Sequence, residues 1–265
     1  MTEQIYSGTV PLHYKRYGEE HEKTIVILHG LFGSLDNWHT FARRLSSIYQ
    51  VITVDLRNHG RSPHTDAFNL EVMRDDLLRL WDDLGLIKAV LMGHSLGGKV
   101  AMSFATAYSD RLAAIVVLDI SPRSYPRGHD VYFNAMLSMP LDLDNRQDAE
   151  KWLAKTVDSV AIRQFLLKNL ERTNNGFDWK FNLRVLYDKY SAVIGPVEIL
   201  QPIGLPALFV RGDKSTYITE DDLALIRETF LNVDIVTIEN AGHWVHAEAP
   251  DTLLAVLTSF LNDHF

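Results

Sequence analysis

The pentapeptide Gly93-His94-Ser95-Leu96-Gly97 follows the apolar run 89–92 and precedes a helix-like stretch from Lys99 onward, so the chain turns sharply from strand to helix at Ser95. Glycines at 93 and 97 let the two elements approach where a Cβ would clash, and such a turn lifts a serine hydroxyl clear of a sheet. A bare GxSxG is also the pattern of a plain glycine-rich turn. What sets this one apart is its context: a strand before it, a helix after it, a His-Gly loop upstream and a histidine far downstream.

Short apolar runs recur along the chain at 10–17, 25–28, 51–54, 89–92, 113–118, 207–210 and 235–238. Several lack alternation, as parallel strands covered on both faces do, and the intervals between them are long enough for crossover helices. These runs predict an α/β fold with a mostly parallel, doubly wound sheet. Helical spacing is clear at 70–84 and at 251–261, where Pro250 suits a first turn. The strand–helix alternation stops at 122–205, which instead carries helical patterns at 148–156 and 159–170. The chain is therefore expected to form a core from 1–121 and 206–265, interrupted by an inserted helical cap at 122–205. Ligands of open α/β sheets bind beyond the carboxyl ends of the strands, so an insertion there would roof the site.

With 265 residues, 46% of them hydrophobic, one sizeable core is expected rather than two unrelated domains. The formal net charge of −8 argues against nucleic-acid binding, which calls for a basic patch. The chain has no cysteine, which removes disulfides, thiol catalysis and thiolate metal sites. Its first residues, MTEQIYSG, lack a basic segment followed by an apolar run, and no stretch is long enough to span a bilayer. A cytoplasmic protein without stable membrane insertion is expected.

A serine is a weak nucleophile near neutral pH and needs a base whose pKa lies close to the working pH, which points to histidine. Of 11 histidines, His243 follows the last apolar run on the loop Asn240-Ala241-Gly242-His243-Trp244, in the chain order serine, acid, histidine. His246 sits closer to the final helix and suits a loop-shaping or solvent-facing role. The spacing of His243, His246 and Glu248 lacks the helical context of a zinc site, so neither a metal nor a cofactor is expected. The base needs a carboxylate to hold its tautomer. Asp119, ending the run 113–118, and Asp213, after Phe209-Val210-Arg211-Gly212, both qualify by position. For the oxyanion, the backbone N–H of Leu96 supplies one donor, and the loop His29-Gly30-Leu31-Phe32-Gly33-Ser34 supplies a second at Leu31.

The blocks Leu28-His29-Gly30-Leu31-Phe32-Gly33-Ser34, Asp55-Leu56-Arg57-Asn58-His59-Gly60-Arg61-Ser62, Gly93-His94-Ser95-Leu96-Gly97-Gly98 and Ala241-Gly242-His243 occur in this order. With them the chain resembles the α/β-hydrolase superfamily over nearly its whole length outside the cap. HGLFGS followed by Leu35-Asp36-Asn37-Trp38, together with Leu118-Asp119-Ile120-Ser121-Pro122, is similar to the YbfF-type bacterial esterases and their eukaryotic relatives. The resemblance implies a cofactor-independent serine hydrolase of acyl esters. It also implies which aspartate is the acid. Most of the superfamily carries an acid three residues after the glycine that follows the seventh strand, a position that here holds Ser215. The YbfF-type group draws its acid from the end of the sixth strand, where Asp119 stands.

The sequence thus leads to a serine carboxylesterase acting on a small-molecule acyl ester or thioester, with catalytic Ser95, His243 and Asp119 and oxyanion donors Leu31 and Leu96. Two rivals keep the same residues: a carbon–carbon bond hydrolase or lyase, and a non-catalytic ligand sensor. Arg57, His59 and Arg61 suit a structural loop or an anionic pocket. Phe133, Met136, Leu137, Met139 and Trp152 suit cap core or an acyl-chain pocket. The sequence leaves the oligomeric state open.

Overall fold

The computed structural model describes residues 8–265, so most of the amino-terminal stretch read above as lacking a leader lies outside the described residues. Seven strands form the main sheet: β1 (Tyr14–Tyr17), β2 (Thr24–Leu28), β3 (Gln50–Val54), β4 (Ala89–His94), β5 (Leu112–Leu118), β8 (Ile203–Gly212) and β9 (Phe230–Ile238), in the spatial order β1-β3-β2-β4-β5-β8-β9. Only β1 runs antiparallel to its neighbour.

Strand side chains alternate between two apolar layers, which explains why the runs read as continuously hydrophobic. Ile25, Ile27, Val90, Met92, Val116 and Leu118 pack on one face with Phe41 and Leu45 of α1 (His39–Leu45) and Leu253 and Leu257 of α11 (Pro250–His264). Val26, Leu28, Leu91, Ile115 and Val117 pack on the other with Met73, Leu77 and Trp81 of α2 (Leu70–Asp83) and Val100 and Phe104 of α3 (Leu96–Tyr108). Each strand position therefore removes apolar surface from water on one side or the other, at about 25 cal/mol per Å². Asn69 caps α2 by accepting the Val72 N–H at 2.9 Å, and Pro250 opens α11 where its missing N–H costs nothing.

The strand expected at 10–17 is shorter than its apolar run. Pro11 brings no N–H, the Val10 N–H donates to Asp76 Oδ1 at 2.7 Å and the His13 N–H to Ser62 Oγ at 2.8 Å, so only Tyr14–Tyr17 pairs in the sheet. The helix expected from Lys99 starts three residues earlier, at Leu96. The glycines there pack against neighbouring chain instead of breaking the helix: a Cβ on Gly97 would lie 2.7 Å from His29 O.

Between β5 and β8 the chain forms α4 (Asp130–Leu137), α5 (Arg146–Leu153), α6 (Val160–Leu167), the antiparallel hairpin β6 (Leu170–Thr173) and β7 (Gly176–Trp179), then α7 (Leu183–Asp188) and α8 (Tyr190–Ile194). The hairpin departs from the helical expectation. The pattern at 159–170 ends as a helix at Leu167, and Asn169 Nδ2 donates to Phe32 O at 2.6 Å, fastening the chain to the His-Gly loop. After β8 come α9 (Glu220–Thr229) and β9, then α10 (Val245–Glu248) and α11.

The Asp55-to-Ser62 block is a fold device. Asp55 accepts the Leu35 and Arg61 N–H groups at 2.7 and 3.0 Å. Arg57 binds Asp76 through two bonds of 2.6 Å, with both side chains fully buried. Removing one partner of such a pair leaves an uncompensated buried charge. Arg57→Met is expected to destabilise the protein by about 3–5 kcal/mol, read as a lower urea midpoint; an unchanged midpoint would contradict this role.

Candidate active site

Strand register brings the principal residues together. β4 and β5 pair His94 with Leu118, and β5 and β8 pair Leu118 with Val210, so Ser95 and Asp119 leave the sheet side by side while β8 runs on two residues further, through Arg211 to Gly212. β8 and β9 pair Gly212 with Ile238, which puts the loop carrying His243 at the same edge.

Ser95 sits at φ 52°, ψ −116°, with its N–H donating to Leu118 O at 3.0 Å and its carbonyl accepting the Lys99 N–H at 3.1 Å. A non-glycine residue there stores on the order of 1–3 kcal/mol of backbone strain, sustained because the surrounding packing fixes it. Gly93 shows how tight that packing is: a Cβ on it would lie 2.2 Å from Gly97 O. Asp119 also has positive φ, 51°, and its N–H donates to Val210 O at 2.8 Å.

The Asp119 side chain is fully buried. Its Oδ2 accepts a 2.8 Å bond from His243 Nδ1 and a bond from the Ser215 hydroxyl, and its Oδ1 accepts the Gly212 N–H at 3.2 Å. Burial pushes the carboxyl up, to about 7, while the Ser215 and Gly212 bonds pull it down by favouring the charged form. Burial holds the His243 imidazole down, to about 4, so the ring is a neutral acceptor near pH 7. Tyr217 stacks on that ring, centroids 3.8 Å apart and planes 17° off parallel. His94 Nε2 shares a 2.8 Å bond with His243 O, and burial keeps His94 well below the usual imidazole range.

Asp213, the other aspartate weighed from the sequence, is exposed and accepts the Ala241 N–H through Oδ1 at 3.2 Å. It fastens the loop two residues before His243, whereas the ring itself bonds Asp119. The His246 ring packs against Trp38, centroids 4.4 Å apart and planes 31° off parallel, and Glu248 accepts the Gly242 N–H at 2.7 Å. Among the described residues no group of three or more His, Cys, Asp or Glu side chains could hold a metal ion.

Leu96 opens α3, so its N–H is among those that helix geometry leaves without an intrahelical carbonyl. The Gly33 N–H closes a turn on Gly30 O at 2.9 Å, with Phe32 at φ 60°, and this turn holds Leu31 at the edge of the site. Two cavities, of about 360 and about 320 Å³, adjoin here and share Leu31, Ser95, Gly128, His129 and Tyr217. Both fall in the size range of small-molecule sites. Phe133, Met136, Leu137, Met139 and Trp152 line neither one. Phe133 and Met136 are core, with Phe133 packed 4.8 Å from Phe32, and Met136, Leu137 and Met139 line a separate cavity beside Trp179.

Sequence reasoning missed Tyr217 and the bond from Ser215. Ser215 had been noted only for not being an acid. Nothing in the local sequence tells a loop tyrosine from one stacked on an imidazole 26 positions away.

Residues 23–250 match the family model described as alpha/beta hydrolase fold. The chain belongs to the α/β-hydrolase family. It is 38% identical to the esterase YbfF of Escherichia coli K12 over 92% of this chain and 95% of that protein. It is also 38% identical to the sn-1-specific diacylglycerol lipase ABHD11 of Danio rerio, over 96% of this chain and 84% of that one. The solved structure of a marine microorganism esterase matches with a TM-score of 0.92 at 36% identity, covering 95% of this chain and all of that one. Among the described residues, no helix is long and apolar enough to cross a membrane.

Proposed function

We propose that this hydrolase is a serine carboxylesterase that forms an acyl-enzyme on Ser95, with His243 as base and then acid, Asp119 orienting His243, and the Leu31 and Leu96 N–H groups holding the oxyanion. The observation that carries the reading is the 2.8 Å bond from His243 Nδ1 to buried Asp119, with Ser95 on a strained strand-to-helix turn lining the same cavity as His243. The bond fixes the tautomer that leaves Nε2 free to accept a proton. The Ser95 oxygen attacks the acyl carbon, its proton passes to His243, and the alkoxide leaves with that proton as an alcohol. Water then repeats the cycle and releases the acid.

The same steps cleave an acyl thioester. The segment 122–205 would act as the cap that selects the acyl group, since α4, α6 and α8 contribute cavity residues. Relatives named esterase and diacylglycerol lipase support ester substrates. The deciding experiment is pre-steady-state turnover of p-nitrophenyl butyrate. A burst of one nitrophenolate per enzyme, absent in Ser95→Ala, is expected; turnover without Ser95 would overturn the assignment.

Ser215 supplies a second test. Its hydroxyl bond favours the Asp119 carboxylate, so removing it raises the carboxyl pKa. The pair orients His243 only when Asp119 is ionised. Ser215→Ala is therefore expected to move the acid limb of the kcat/KM profile to higher pH; a limb at the wild-type pH would count against it.

A further inference from the structure

Lys99 is buried, only 2% exposed, and the steps at Ser95 and His243 make no use of it. It stands one helical turn after Ser95, with its N–H on Ser95 O at 3.1 Å, and both residues line the cavity of about 360 Å³. Lys99 Nζ donates to Arg123 O at 2.8 Å and to Gly195 O. An ammonium carries three donors, so one is left over. The Tyr125 ring lies 5.2 Å from that ammonium and 4.0 Å from the Arg123 guanidinium, whose Nε pairs with Asp222 at 2.6 Å. Lys99 has no such carboxylate among the described residues, and no acidic side chain lines the cavity. Buried charges are normally paired, because an isolated one gives up its hydration for nothing in return. Burial and the Arg123 charge accordingly push the Lys99 ammonium down, to about 7.

We propose that the Lys99 ammonium binds a carboxylate of the substrate and that the hydrolase acts on esters carrying a free carboxylate beside the scissile bond, a substrate class that rests on the serine esterase reading above. The carboxylate accepts the third ammonium N–H in a charge-assisted bond and supplies the missing counter-charge. Arg123 keeps Asp222 and adds its field at the same cavity. A neutral chain of the same length leaves the buried ammonium unpaired, so the discrimination exceeds that of one neutral hydrogen bond. The chemistry is the same whether the carboxylate belongs to the acid or to the alcohol half of the ester.

The test compares isosteric pairs in two series: p-nitrophenyl hydrogen adipate against the p-nitrophenyl ester of adipic acid monoamide, and the butyrate ester of ω-hydroxyhexanoate against that of ω-hydroxyhexanamide. In one series the wild-type enzyme is expected to favour the carboxylate by about tenfold or more in kcat/KM, and that series tells which half carries it. Lys99→Met keeps the apolar stem and removes the ammonium, and should bring the ratio to about one or below. Loss of its bonds to Arg123 O and Gly195 O would lower both rates of a pair alike, whereas the ratio moves only if the ammonium meets the carboxylate. Should Lys99→Met fold poorly, Ile194→Glu puts a carboxylate into the cavity lining next to Gly195, and is expected to abolish the preference in the same way. A wild-type ratio at or below one in both series, or a preference that survives these variants, would overturn the proposal. The neutral amide esters separate the two levels: Ser95-dependent turnover of them without a carboxylate preference overturns only this substrate class, whereas no Ser95-dependent turnover of any ester overturns the esterase reading as well.

Discussion

Ser95→Ala is expected to lower kcat for a short-chain p-nitrophenyl ester by about 10⁴-fold or more. The variant keeps its fold, because alanine enters the same backbone position and every packed neighbour of the turn is unchanged. What it loses is the oxygen that bonds the acyl carbon, so the two-step route through an acyl-enzyme closes. The remaining rate reflects oxyanion stabilisation and binding, which in serine hydrolases of other folds leave roughly 10³–10⁴ over water. Circular dichroism and the urea midpoint should match wild type to within experimental scatter. Activity within tenfold of wild type would remove Ser95 from the mechanism, since so small a loss is what one ordinary binding contact accounts for, not the loss of a nucleophile.

Asp119→Asn is expected to cost about 10⁴-fold in kcat, with little change in KM, because the asparagine amide favours the wrong imidazole tautomer. The effect comes from Asp119 Oδ2 accepting the His243 Nδ1 proton at 2.8 Å. An amide NH₂ turned toward that nitrogen would make Nδ1 the acceptor and put the proton on Nε2, where it blocks general-base catalysis. Asp213→Asn makes the control. Asp213 accepts only a backbone N–H of the loop, at 3.2 Å, and an asparagine carbonyl oxygen accepts it equally well. Activity within a few-fold of wild type is expected for that variant. Reversed results, with Asp213→Asn inactive and Asp119→Asn active, would show that the acid reaches His243 in a different arrangement during turnover.

The layered core was legible because burial on both faces leaves a signature in composition: strands such as Thr24–Leu28 and Leu112–Leu118 are apolar at every position that meets a helix layer. Boundaries were less legible where side chains took over backbone bonds. At 10–13, Asp76 and Ser62 supply partners that a strand would have drawn from the sheet. The hairpin of Leu170–Thr173 and Gly176–Trp179 was missed because Leu170, Phe177 and Trp179 are apolar where they face the core, and so short a run reads equally as a helix end.

The sequence by itself determined the turn at Ser95, its glycines and the order of serine, aspartate and histidine, because these are local requirements: small residues where chains touch, strand before helix, loop after strand. The tertiary structure decided which carboxylate meets the imidazole. Asp119 and Asp213 each follow an apolar strand, and no local rule separates them. The resemblance to the YbfF-type esterases favoured Asp119, and the strand register supplies the physical reason: it sets Asp119 beside Ser95 and within a hydrogen bond of His243 Nδ1, and leaves Asp213 on the loop backbone. A contact spanning 124 positions is fixed by how strands pair across a sheet, and pairing is a property of the whole packed core.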